Sequence, residues 1–171
     1  MKNKVTKKDV ENILNDAYEL CSMSMTKEEH IDNINFSLRQ KLIKRNRSEK
    51  SIKRFIDKYN YEHSDIFAQK PQIKFVNTNT IARAKIYKNI IEVNLENLNT
   101  WVNELREEGQ VGTIYKVERQ YIDKYVFYTI DLVRWVIAHE YAHCLYPQLK
   151  HTKDFFRRVE EIYLKFENNI K

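Results

Sequence analysis

The chain has 171 residues, 42% of them hydrophobic, and carries a formal charge of +6. That length supports one domain with its own core, with or without a small appendage. Its only glycines, Gly109 and Gly112, leave no room for a P-loop or a GxGxxG turn, which excludes the nucleotide chemistry those motifs serve.

The two cysteines, Cys21 and Cys144, form no CxxC pair and read as free thiols of a reducing compartment. Met1–Val5 is basic but leads into no apolar stretch, and no apolar run nears the roughly 18 residues needed to cross a bilayer. The expectation is a cytoplasmic protein with no membrane partner. The modest positive charge points weakly to an anionic partner, set against a Lys-rich surface that serves solubility alone.

The first third reads as helical. Thr6 can cap a helix with Val10, Ile13, Leu14, Ala17, Tyr18 and Cys21 on one face. Thr26 with Glu29 is a capping-box pattern, opening a helix that carries Ile31, Ile34, Leu38 and Leu42. A third helix, with Ile52, Phe55, Ile56 and Tyr59, follows Asn46–Ser48. After Pro71 the period changes to two. Strands are expected at 73–77, 82–87 and 90–95, the last two forming an antiparallel hairpin around Lys88 and Asn89. Residues 96–108 return to a helical period through Leu98, Trp101, Val102 and Leu105. The stretch from Thr113 to Tyr121 suits a strand or the start of a helix. From Ile122 to Tyr146 the pattern predicts one long helix, apolar on nearly every side and stopped by Pro147, hence a buried and central one. A final helix from Thr152 carries Phe155, Phe156, Val159, Ile162, Tyr163 and Phe166. The expected fold class is α+β. N-terminal helices occupy 1–70, and a domain over 71–171 holds a small antiparallel or mixed sheet of about three strands, a buried helix and a C-terminal helix. The two parts are open to being one compact unit.

The chemistry concentrates at His139-Glu140-Tyr141-Ala142-His143 on that buried helix. Four residues apart, the two imidazoles project from one face and can bind one metal ion. Glu140, beside the first ligand, can reach a metal-bound water without being a ligand itself. Zinc lowers the pKa of such a water from 15.7 to about 7, and the glutamate accepts its proton during attack on a peptide carbonyl. The alternative is a hydrogen-bonded structural His pair on a core helix. For a third ligand, the metzincin pattern fails, because Tyr146 and Leu149 stand where it needs Gly and His. Glu160 and Glu161 lie at a feasible distance on the last helix. His151 is the closer fit, since the Pro147 loop can turn the chain back under the site.

The run Val136–His143, then Pro147, then His151-Thr152-Lys153-Asp154-Phe155, resembles the SprT-like and YgjP/WLM group of minimal zincin metallopeptidases. Ala82-Arg83-Ala84 and Ile91–Leu95 are similar to that group's paired strands, with Leu95 where a proline is common. The resemblance spans residues 71 to 167. It implies a small α+β domain, one zinc ion held by His139, His143 and His151, Glu140 as catalytic base, and an extended polypeptide substrate paired along an edge strand. The segment 96–121 is longer than a minimal domain needs. No four-cysteine zinc ribbon follows the peptidase region, which weakens the carry-over of a role on DNA-crosslinked proteins.

The most basic stretch includes Lys41, Lys44, Arg45, Arg47, Lys50, Lys53 and Arg54, interleaved with Phe55 and Tyr59. It can follow a nucleic-acid backbone, such as DNA; the plain alternative is aromatics in a core and charges on a solvated face. Tyr115, Tyr141 and Tyr146 are open as donors to an oxyanion, and His30 and His63 are expected at the surface. The leading function is a zinc-dependent peptidase, acting on polypeptides that include nucleic-acid-associated ones. Two rivals stand beside it: a regulatory peptidase of the ImmA/IrrE type that cleaves a repressor, and a non-catalytic, zinc-stabilised module that binds nucleic acid.

Overall fold

The structure is a computed structural model and describes residues 4–22, 25–108, 116–125 and 128–170. Its elements in chain order are α1 (Lys7–Cys21), α2 (Lys27–Lys44), α3 (Glu49–Glu62), β1 (Gln72–Phe75), β2 (Ala82–Lys85), β3 (Ile90–Val93), α4 (Leu95–Glu108), α5 (Lys116–Tyr125), α6 (Thr129–Leu145) and α7 (Lys153–Ile170). The α+β class is as expected. Among the described residues, no helix is long and apolar enough to cross a membrane.

The expected caps form. Thr6 Oγ1 accepts from the Asp9 amide while the Asp9 carboxylate accepts from Thr6 N–H, and Thr26 and Glu29 repeat the exchange at α2. Each satisfies two of the amides that a helix start leaves without partners. The sheet has the order β1-β3-β2, so β3 is central. It pairs in parallel with β1 (Gln72 opposite Ile90) and antiparallel with β2 (Ala82 opposite Val93), which makes the sheet mixed.

The hairpin differs from a two-residue turn. A single 3-10 turn, Ile86–Lys88, leads to Asn89 at φ 52°, in the left-handed region that Asn tolerates better than other non-glycine residues. Its side-chain amide donates to Ile66 O at 3.3 Å and Gln69 O at 3.1 Å, tying the hairpin to the segment before β1. The third strand stops at Val93 rather than running to residue 95. Asn94 Oδ1 accepts from Asn97 N–H at 3.0 Å, and that cap turns the chain into α4.

The long helix expected over 122–146 is two helices. α5 ends at Tyr125 and α6 begins at Thr129, where the Asp131 carboxylate accepts from Tyr128 N–H at 2.9 Å. That side-chain acceptor starts a new helix inside a run whose apolar pattern shows no interruption. α6 is central as expected, with Leu132, Val133, Trp135, Ile137 and Ala138 buried. α1 brings Val10, Ile13, Leu14, Ala17 and Cys21 to the same core, and α7 brings Phe155, Phe156, Val159, Ile162, Tyr163 and Phe166. A fully buried Phe or Leu contributes about 1.5–3 kcal/mol relative to exposure, so these three faces hold the body together.

α2 and α3 enclose a second, smaller cluster of Ile34, Leu38, Tyr59 and Phe67. One face of α2 also grips the end of α6. His30 Nε2 meets Cys144 O at 3.0 Å, Asn33 Nδ2 donates to Leu145 O at 3.2 Å, and Ser37 Oγ donates to Pro147 O at 3.2 Å. The last carbonyls of a helix lack intrahelical partners, and here α2 supplies them. The expectation of a surface His30 is therefore corrected: it is buried, with Nδ1 accepting from Ala68 N–H at 2.8 Å. His63 is half-buried and stacks on Tyr59 at 4.2 Å between ring centroids.

Candidate metal centre

His139 and His143 project from one face of α6, and His151 reaches them from the loop between α6 and α7. His151 Nε2 lies 3.1 Å from both His139 Nε2 and His143 Nε2. Two nitrogens bound tetrahedrally to one zinc at 2.0–2.1 Å stand about 3.3 Å apart. Two of the three spacings thus nearly match what a single ion imposes, and all three donor atoms lie within 4.8 Å of one another. Direct hydrogen bonding explains this less well, because the one Nε2–H that His151 can offer reaches only one neighbour. These three histidines can hold one metal ion.

α7 supplies the wall behind them. Phe155 stacks on His143 at 4.2 Å and meets His139 and His151 edge-on at 5.0 and 5.3 Å. Phe156 stacks on His151 at 6.0 Å. Both phenylalanines are fully buried, so the imidazoles are pressed between α6 and a rigid apolar surface.

One site residue had no signal in the sequence. Glu118, on α5 and buried, places Oε1 at 2.7 Å from His139 Nδ1 and at 2.8 Å from Trp135 Nε1. Trp135 and His139 are four residues apart on one face of α6, so a single carboxylate oxygen spans both. Burial raises the Glu118 pKa, but the His139 bond and charge, with the Trp135 bond, outweigh it and leave the group below its usual value. An ionised Glu118 accepts Nδ1–H, so in the neutral His139 ring it is the Nε2 lone pair that faces the other two histidines. Burial acts to lower the His139 pKa, and the Glu118 bond with the Glu140 and Glu118 charges reverses that. Burial and the two neighbouring imidazoles push His143 down to about 3. His151 is lowered too, by burial and then by His139. Two of the three rings are thereby kept neutral, the form that binds metal.

Glu140 is buried, and its Oε2 accepts from Ala84 N–H on β2 at 2.7 Å. Burial raises its pKa, against the opposing His139 charge and the Ala84 bond. β2 is the edge of the sheet. Asn94 N–H donates to Ile81 O, so alternate residues 81, 83 and 85 face β3, and the backbone groups of Ala82 and Ala84 face outward. A cleft of about 520 Å³ runs between this edge and α6. It is lined by Thr80, Ala82, Ala84, Ile86, Trp101 and Val136, with the three histidines and both glutamates at its base.

Other expected residues fall elsewhere. Glu160 accepts from Tyr125 OH and Glu161 pairs with Arg158 at 2.8 Å, so neither joins the histidines. Tyr141 faces a separate small cavity with Cys21 and Cys144, Tyr146 lies under the Arg158 guanidinium, and Tyr115 is outside the described residues. Neither described tyrosine lines the cleft. Lys41, Lys44, Arg45, Arg47, Lys50, Lys53 and Arg54 are all exposed on the end of α2, the turn after it and α3, away from the histidines in sequence and in the cleft lining. Phe55 among them is exposed, while Tyr59 belongs to the small core.

No family model matches this chain, and no curated protein or solved structure does.

Proposed function

We propose that the protein is a zinc-dependent peptidase. The observation that carries this reading is the meeting of three imidazole nitrogens beside a buried glutamate that bonds the outer edge of the sheet. His139, His143 and His151 would hold the ion, which when bound polarises a water molecule and the scissile carbonyl. The chain's own groups do the rest. The outward N–H and C=O groups of β2 pair with an extended polypeptide as an added strand, which orients the bond to be cut. Glu140 takes the proton of the attacking water and passes it to the leaving amine. The apolar walls around Trp101 and Val136 exclude bulk water and strengthen both interactions.

The test is metal analysis of purified protein together with hydrolysis of an unfolded protein such as casein. One zinc per chain with activity abolished in Glu140→Gln supports the reading; absence of stoichiometric zinc sinks it.

A second property has its own observation. Residues 39–58 hold nine Lys and Arg against Glu49 and Asp57, a net +7 where the whole chain carries +6. Phe36, Phe55 and Tyr61, on the same two helices, are 54%, 47% and 87% exposed. Clustered cations with exposed rings suit a nucleic-acid strand, the rings stacking on bases. This face would bring the peptidase to nucleic-acid-associated proteins. Binding to a single-stranded oligonucleotide that weakens with salt, and weakens further in Lys50→Glu/Lys53→Glu, is the expected result; salt-independent or absent binding removes this part.

A further inference from the structure

We infer that Glu118 is a positioning residue for metal binding, holding His139 so that its Nε2 points to where the three imidazoles meet. The inference rests on the metal-centre reading above. Its basis is one shared oxygen: Glu118 Oε1 contacts Trp135 Nε1 and His139 Nδ1 at 2.8 and 2.7 Å. The indole N–H can only donate, so Oε1 acts there as an acceptor. With the imidazole donating to the same oxygen, ring rotation and tautomer are both set. Such outer carboxylates orient a ligating histidine and raise its basicity.

The choice of residue type supports this. Any acceptor would satisfy Trp135, and a neutral one would cost less to bury than a carboxylate. Glu118 and Glu140 instead place two buried carboxylates around the histidines. Among the described residues, neither has a Lys or Arg ion pair. α5 also brings Tyr121 against Trp135, stacked at 5.8 Å, so the strut reaches α6 through two contacts on one face.

The test titrates zinc into metal-free full-length protein in competition with a chromophoric chelator, alongside the absorption spectrum of the cobalt form. Wild type is expected to bind one zinc. Glu118→Ala should weaken binding about 10- to 100-fold. Glu118→Gln keeps the accepting oxygen without the charge, and should weaken it about three- to tenfold, since charge-assisted bonds are roughly twice as strong as neutral ones. The cobalt spectrum should change in both Glu118 variants, which a purely structural role would not produce. If Glu118→Ala does not fold, the isosteric Gln variant decides alone. One zinc in wild type with unchanged affinity in Glu118→Gln overturns this inference and leaves the metal centre standing. No zinc in wild type overturns the reading beneath it.

Discussion

Ala84 N–H, on the outer edge of β2, donates to Glu140 Oε2 at 2.7 Å. The amide that an added strand would use is thus already bonded to the glutamate next to His139. Under the proposed peptidase reading, a substrate carbonyl arriving at Ala84 would displace that carboxylate and free it for proton transfer. Ala84→Pro removes the amide at an edge position where no ladder bond is lost. Because the amide favours the ionised carboxylate, its loss raises the Glu140 pKa. The acidic limb of the kcat/KM profile should therefore move to higher pH, while zinc content stays at wild type. An unmoved limb would show that the bond does not tune the base. Glu140→Gln should keep the metal and lose about 10²–10⁴ in rate.

Phe155 touches all three imidazoles, so it joins fold stability to metal affinity. Phe155→Ala should cost about 3–5 kcal/mol in denaturant unfolding. Phe155→Leu should cost less and still loosen zinc binding in chelator competition. Equal zinc affinity in the Leu variant would mean that the ring does not order the ligands.

The pH dependence of stability has a sign set by His30. Nδ1 accepts from Ala68 N–H, so Nε2 carries the proton and donates to Cys144 O. A second proton at Nδ1 would oppose the Ala68 amide. Burial lowers the His30 pKa, with the Cys144 bond opposing. Its folded pKa lies below the unfolded value of 6.5, so the unfolded chain binds the proton first. Stability from His30 is complete above 6.5 and declines as pH falls below it, at most about 1.4 kcal/mol per pH unit. Comparing unfolding free energies of wild type and His30→Gln from pH 7.5 to 5 isolates this from the lowered His143 and His151. The variant's slope should be shallower; parallel slopes would sink the assignment.

Zinc removal should lower the melting temperature without unfolding the protein. The faces of α1, α6 and α7 bury their core without the ion. Excess zinc at 100 times Kd adds about 2.7 kcal/mol. Chelator should therefore lower Tm and leave far-UV circular dichroism intact at 25 °C; loss of the helical signal on chelation would contradict this. His151→Ala should abolish the zinc-dependent rise, and Glu160→Gln should not.

What the sequence showed was local in origin. Thr6, Thr26, the period of α1 and α7 and the spacing of His139 and His143 depend on residues three or four apart, and all appear as read. His151 required only a short loop containing Pro147. Glu118 lay out of reach because no pattern links a carboxylate to a histidine 21 positions later. His30 looked like any polar helix residue, its partner being 114 positions away. The division between α5 and α6 was hidden because the apolar run continues across it, and Asp131 acts through a side-chain bond that periodicity does not register. The parallel pairing of β1 with β3 depends on the path between them rather than on either strand's four residues.

α1 packs against α6 and α7, and Lys165 Nζ reaches back to Leu20 O across 145 positions. During synthesis, α1 leaves the ribosome before the two helices that cover its apolar face here. Its cover arrives only with the two helices that flank the histidine loop. Closure of this core and convergence of the three imidazoles thus fall in the same interval, once α6, the loop holding His151 and α7 have all emerged.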